Sequence, residues 1–155
     1  MISRKLDGVR TLTICDGDDI KFYSRTGTIF TTLDNLKPAA KKILDSARNK
    51  YGEEFVLDGE CCIINDDGSD NFSGIMKEIT RKNHTIKNPK YIIFDLIKKR
   101  EFDSSKGNTS FKERMHMLEE LNINLYGNDI SLIYHSNSID KDTYEKWLIM
   151  AKEKK

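Results

Sequence analysis

The chain has 155 residues, 37% of them hydrophobic and 33% charged, with 26 Lys and Arg against 25 Asp and Glu. That length suits one domain around one core, and the composition excludes a disordered chain. The net charge of +1 excludes the domain-wide basic field of many nucleic-acid binders, and no apolar run approaches the roughly 20 residues that a membrane-spanning helix needs.

Residues 9–15 alternate. Arg10, Leu12 and Ile14 share one face and Val9, Thr11, Thr13 and Cys15 the other, which predicts a strand. Asp16-Gly17-Asp18-Asp19 is turn chemistry, and residues 20–23 read as the returning strand of a hairpin. Leu33, Leu36, Ala40, Ile43, Leu44 and Ala47 fall at helical spacing, with Pro38 tolerable in the first turn and Gly52 beyond the end. Residues 55–57 and 61–64 predict a strand pair, or one long strand, around Asp58-Gly59-Glu60. Residues 66–90 are polar, with a turn over 66–70 and a short helix over 75–81. Residues 91–97 predict a buried strand, and Ser110-Phe111-Lys112-Glu113 is a capping box opening a helix through Leu121. A strand is expected over 130–134. Asp140 would cap a last helix whose apolar face carries Tyr144, Trp147, Leu148 and Ala151. Hairpins with intervening helices imply an α+β fold with mainly antiparallel sheet.

Cys15, Cys61 and Cys62 make a poor disulfide framework. Neighbouring strand residues point to opposite faces, so Cys61 and Cys62 are read as packing side chains rather than metal ligands. His84, His116 and His135 form no spaced cluster. The basic runs Lys41-Lys42, Lys98-Lys99-Arg100 and 152–155 are read as solvated faces. The first residues lack the apolar stretch of a signal peptide, so the expectation is a cytoplasmic protein.

Four short segments stand out in order: Lys5-Leu6-Asp7-Gly8-Val9-Arg10, Ser24-Arg25-Thr26-Gly27, Asp58-Gly59-Glu60 and Phe94-Asp95-Leu96. Asp-Gly is a common turn dipeptide and recurs at 7–8, 16–17, 58–59 and 67–68, so each match taken alone reads as a turn. Taken together, the series resembles the ordered motifs of the covalent nucleotidyltransferases, the superfamily of ATP-dependent DNA ligases, RNA ligases and mRNA capping enzymes. Ser-Arg-Thr-Gly, Phe-Asp-Leu and the Ser-Phe-Lys-Glu-Arg helix start at 110–114 look most like DNA ligases.

The resemblance implies the nucleotidyltransferase fold, ATP and Mg2+ as cofactors, and nicked duplex DNA as partner of a monomeric enzyme. It implies that Lys5 attacks the α-phosphorus of ATP to form lysyl-AMP. That requires an unprotonated amine, with a pKa lowered by Arg10, Arg25 and a cation. Arg10 is then expected near ribose and phosphates. Its place on a face with Leu12 and Ile14 independently asks for an anionic partner. Arg25 matches a phosphate contact, Glu60 a ribose or metal ligand, and Phe94 an aromatic that stacks on adenine. Gly8 is expected to let the backbone approach the nucleotide. The alternatives are an RNA ligase, a capping guanylyltransferase or a non-catalytic nucleotide-binding remnant.

Two departures qualify the resemblance. Ser3 stands where relatives usually carry a glutamate, and no Glu-Gly dipeptide occurs in the chain, although the family continues through such a motif to phosphate-binding lysines and an OB-fold domain. The expectation is therefore an adenylation domain over residues 1–155, incomplete at both ends and without the OB-fold. Lost metal and phosphate contacts would leave it nearly inactive alone.

Overall fold

A computed structural model describes residues 1–136 and 140–153. In chain order the elements are β1 (Ile2–Ser3), β2 (Val9–Asp16), β3 (Asp19–Ser24), β4 (Ile29–Phe30), a 3-10 turn (Asp34–Leu36), α1 (Lys37–Tyr51), β5 (Phe55–Cys62), α2 (Phe72–Glu78), β6 (Lys90–Lys98), α3 (Lys99–Ser104), α4 (Phe111–Glu120), a second 3-10 turn (Ile123–Tyr126), β7 (Ile130–Leu132), β8 (His135–Ser136) and α5 (Lys141–Glu153). Six strands form one sheet in the order β4-β3-β2-β5-β6-β7, while β1 and β8 pair as a separate two-stranded ladder. Every pairing is antiparallel except β6 with β7.

The core fills one face of the large sheet. Phe22, Leu57, Tyr91, Ile93 and Leu96 from the strands meet Ile43, Leu44 and Ala47 of α1 and Met115 and Leu118 of α4. α1 carries Pro38 in its first turn and stops at Gly52, whose φ of 71° lets its N–H reach the Arg48 carbonyl. α4 starts on the complete capping box of Ser110 and Glu113.

The alternation in β2 has an unexpected inside. Thr11 and Thr13 are buried, while Leu12 and Ile14 lie half-buried on the opposite, open face. The hydroxyls are tolerated because they are bonded: Thr13 shares a 3.0 Å bond with the Tyr91 hydroxyl, which itself donates to the Thr11 carbonyl. Helix α2 begins three residues earlier than its apolar spacing suggests because the Asn71 side chain caps it by accepting the Gly74 N–H. Asp140 caps α5 through the Thr143 N–H, but that helix buries none of its residues. No described helix is long and apolar enough to cross a membrane.

Candidate functional site

Sheet register brings residues of all four segments to one end of the large sheet. Arg10 lies opposite Glu60 across the β2–β5 pair, and Glu60 lies opposite Ile92 across β5–β6. Thr11 pairs with Ser24, so Arg25 leaves β3 at the same end. A β-bulge opposite the Asp58–Gly59 step puts one extra residue, Phe94, into β6. The Arg10 guanidinium rests 5.4 Å from the centre of the Phe94 ring.

The Asp-Gly pairs at 58–59 and 7–8 are not the turns that their dipeptide suggests. β5 runs straight through Asp58 and Gly59. A side chain at Gly59 would strike the Ile92 carbonyl, 2.5 Å from its Cβ position, and the Tyr91 ring at 2.7 Å. Gly8 differs from expectation in what it approaches. Its Cβ position lies 2.4 Å from the Cys61 carbonyl oxygen, so the glycine is required by contact with β5. The Gly8 N–H also donates to Glu60 Oε1 at 3.2 Å, which ties the Lys5 loop to the third segment.

Arg10 finds its anionic partner inside the chain. Its Nε donates to Asp58 Oδ1 at 2.9 Å and its Nη2 bonds Asp58 Oδ2, a bidentate pair. The Asp58 side chain is 3% exposed and that of Arg10 49%, so one side of the guanidinium stays open to the face that carries Phe94. Burial pushes the Asp58 carboxyl up from its ordinary value while Arg10 pulls it back down. Burial likewise raises Glu60, opposed by the Gly8 N–H and Arg10.

Lys5 contradicts the expected acidic amine. Its side chain is 89% exposed and its Nζ donates to Asp7 Oδ1 at 2.8 Å. That hydrogen bond and the charge of Asp7 hold its pKa above the ordinary lysine value. The physical reason is plain: the nearest charge is a carboxylate two residues away, not a cation. Lys5 lines a cleft of about 330 Å³ with Ser3, Arg4 and Asp70 on one wall and Trp147 and Leu148 of α5 on the other. Arg10, Arg25, Glu60 and Phe94 do not line that cleft. Arg25 is exposed in the β3–β4 turn, which Gly27 closes through its N–H to the Ser24 carbonyl.

Glu60 offers a half-buried carboxylate. Among the described residues no group of three His, Cys, Asp or Glu sits together to hold a metal ion. A hard divalent cation here fits only as magnesium commonly binds, on one or two protein carboxylates completed by substrate oxygens.

The sequence reading missed two positioning pairs. Arg114 of α4 clasps Asp95 through Nε at 2.7 Å and Nη2 at 2.9 Å, and donates a third bond to the Thr109 carbonyl. Its signal was the arginine within the Ser-Phe-Lys-Glu-Arg helix start. Asp70 accepts the Asp7 N–H at 3.0 Å and pairs with Arg4 at 2.9 Å. No local pattern marked Asp70 as the partner of Asp7, 63 residues away. The basic runs are largely neutralised locally: Lys41 pairs with Asp45, Lys98 and Arg100 with Glu53, and Lys99 with Asp103. Lys154 and Lys155 of the last run lie outside the described residues.

Comparison with known proteins places this geometry. Residues 1–155 match the family model described as ATP dependent DNA ligase domain. A probable DNA ligase of Streptomyces coelicolor is 33% identical over 67 residues, 43% of this chain and 12% of that protein. A DNA ligase of Halobacterium salinarum is 29% identical over 82 residues, 52% of this chain and 14% of that protein. The chain thus aligns with only a small part of these relatives. Among solved structures, one named Pmar-Lig_PreS3 superposes with a TM-score of 0.77 at 24% identity, covering 97% of this chain and 34% of that one. The ATP-dependent DNA ligase from bacteriophage T7 in complex with ATP gives 0.65 at 15% identity, covering 94% and 51%. Those two likenesses establish the fold, an α+β domain with mainly antiparallel sheet.

Proposed function

The chain belongs to the ATP-dependent DNA ligase domain family, and from that premise we propose that it is the adenylation unit of a DNA ligase, with Lys5 as the residue that takes up AMP. The Lys5 amine attacks the α-phosphorus of ATP. A P–N bond forms, the bond from that phosphorus to the bridging oxygen breaks, pyrophosphate leaves, and the amine proton passes to solvent. The observation that carries the reading is the cluster at one end of the sheet: Glu60 bonded to Gly8 of the Lys5 loop, opposite Arg10, which is seated on Asp58 and over Phe94.

Each group has work that its chemistry suits. The open side of the Arg10 guanidinium faces nucleotide oxygens, and the Asp58 pair fixes its plane so that it need not be ordered on binding. Phe94 presents a ring for adenine to stack on. Arg25, which has no acid partner among the described residues and lies at the same sheet end, supplies charge to phosphate. Glu60 binds ribose or, with triphosphate oxygens, Mg2+. When bound, that ion neutralises charge on the triphosphate. Lys5 must first leave Asp7, because the ammonium has no lone pair to give.

The AMP then passes to the 5′-phosphate at a nick in duplex DNA, and attack by the 3′-hydroxyl releases it. Sealing draws on segments beyond these 155 residues, including a Glu-Gly motif and an OB-fold domain, and the unit works as a monomer on its substrate. Intact-mass spectrometry after incubation with ATP and Mg2+ tests the first step. The expected result is slow, partial gain of one AMP, mapped to Lys5 and absent in Lys5→Ala. AMP on another residue, or undiminished labelling of Lys5→Ala, overturns the assignment; rapid stoichiometric labelling overturns the need for further segments.

A further inference from the structure

Lys5 stands in a loop that one buried carboxylate holds on both sides. The Asp70 side chain is 4% exposed. Its Oδ2 accepts the Asp7 N–H at 3.0 Å and pairs with the Arg4 guanidinium at 2.9 Å. Those two donors flank Lys5 in sequence, one just before it and one two residues after. The Asp7 side chain in turn receives the Lys5 ammonium at 2.8 Å, so hydrogen bonds run from Asp70 through Asp7 to the amine.

The carboxylate is itself anchored to the sheet. It follows β5 in a turn closed by backbone bonds from Asn65 to Ser69, from Gly68 to Asn65 and from Asn71 to Ile63. Asp70 bridges to Ile64 as one antiparallel rung, and Asp67 accepts the Ser69 N–H at 2.9 Å inside the turn. Asp70 therefore couples the strand that carries Glu60 to the loop that carries Lys5. The grip is on residues 4 and 7, while the Lys5 side chain stays 89% exposed. That division suits a nucleophile: a fixed backbone sets its reach, and its own torsions remain free for the attack.

The cost of the arrangement points the same way. Asp70 Oδ1 is buried without a hydrogen-bond partner, the only such side-chain atom among the described residues. A bare buried carboxylate oxygen destabilises a fold, so stability alone is a poor reason for this residue. What the carboxylate offers in return is charge-assisted bonding to both sides of Lys5, stronger than a neutral acceptor gives. Resting on the reading of Lys5 as the residue that takes up AMP, we propose that Asp70 is a positioning residue for that transfer. Acting through Asp7 and Arg4, it sets the amine at its working distance from a nucleotide gripped by Arg10 and Phe94. No bond of the transfer changes at Asp70 itself.

The experiment follows gain of AMP by intact mass over a range of ATP concentrations, in wild type, Asp70→Ala and Asp70→Asn. Amide exchange at Asp7 is read by NMR in the same three proteins. In Asp70→Ala the rate at saturating ATP should fall by between about tenfold and a hundredfold, the latter being what a misplacement of about 1 Å can cost. The ATP concentration for half-maximal rate should stay within about twofold, because the groups that grip the nucleotide are untouched. Exchange at Asp7 should quicken while the β5 amides keep their protection. Asp70→Asn keeps an oxygen for both donors and should recover most of the rate. If Asp70→Ala does not fold, Arg4→Ala, which releases one side of the loop, is expected to show the same split between rate and ATP dependence. An unchanged rate in Asp70→Ala, a fall in ATP affinity alone, or unchanged exchange at Asp7 overturns the role of Asp70 and leaves the lysyl-AMP reading standing. Failure of wild type to gain AMP on Lys5 removes both.

Discussion

The central strands and the N-terminal arm are built to different standards. On β2, β5 and β6, Arg10, Asp58, Glu60 and Phe94 are locked by register, a bidentate ion pair, a ring contact and a glycine that no larger residue can replace. In the arm, Lys5 is almost wholly exposed, β1 pairs over two residues only, and α5 beside it buries nothing. The difference teaches where rigidity serves the proposed chemistry. Groups that grip the nucleotide gain from pre-organisation, whereas a nucleophile must exchange its resting partner Asp7 for a phosphorus atom.

The contrast can be broken from its rigid side first. Asp58→Ala leaves Arg10 on the sheet without its anion. The expected loss of stability in urea unfolding is about 2–3 kcal/mol, toward the low end for a broken buried pair because Arg10 is half exposed. A loss no larger than that of an exposed pair would mean that the central strands are no more rigid there than the arm. Gly8→Ala comes next. Its methyl must displace the β5 backbone at Cys61, which should cost about 1–2 kcal/mol as other overpacked sites do. An unchanged unfolding midpoint would show that the Lys5 loop does not press on the sheet.

Alkaline pH probes the same strands more gently. Burial pushes the Cys61 and Cys62 thiols from an ordinary value of 9.0 up to about 12. The folded state therefore holds these protons after the unfolded chain has released them. Their contribution is fully present below pH 9 and is lost as pH rises from there toward 12, by roughly 1.4 kcal/mol per pH unit for each thiol at most. Urea midpoints at pH 8 and pH 10 should fall accordingly, and less so in Cys61→Ala relative to its own value at pH 8. The smallest effect belongs to the arm. Asp7→Asn removes the group that raises Lys5, so Lys5 should react with a small amine-acylating reagent at lower pH, with the fold unmoved. If the reactivity profile of Lys5 stays where it is, Asp7 is not what holds its proton.

Much of the layout could be read along the chain. The capping box at Ser110, the stop at Gly52 and the hairpin at Asp16-Gly17 are local devices whose residues bond neighbours a few positions away. The four motifs were equally visible, because each is a short run of residues. What each motif touches was not. Arg10 was expected to await phosphate, yet its partner Asp58 lies 48 residues on. Lys5 was expected to be acidic, and one hydrogen bond to Asp7 reverses that. The apolar stripe of α5 promised burial, yet Tyr144, Leu148 and Ala151 remain exposed and Trp147 is only half-buried.

Residue order by itself determined most of the longer secondary elements, the mainly antiparallel class and the family, but not α3 or the short strands β1, β4 and β8, since caps, turns and alternation act over a few residues and motifs are contiguous. Only the tertiary structure decided which face of β2 points inward, why Gly8 and Gly59 must be glycine, and which acid holds which base. Those facts depend on strand register and on the single extra residue at Phe94, and register is set by the packing of the whole sheet rather than by any one strand.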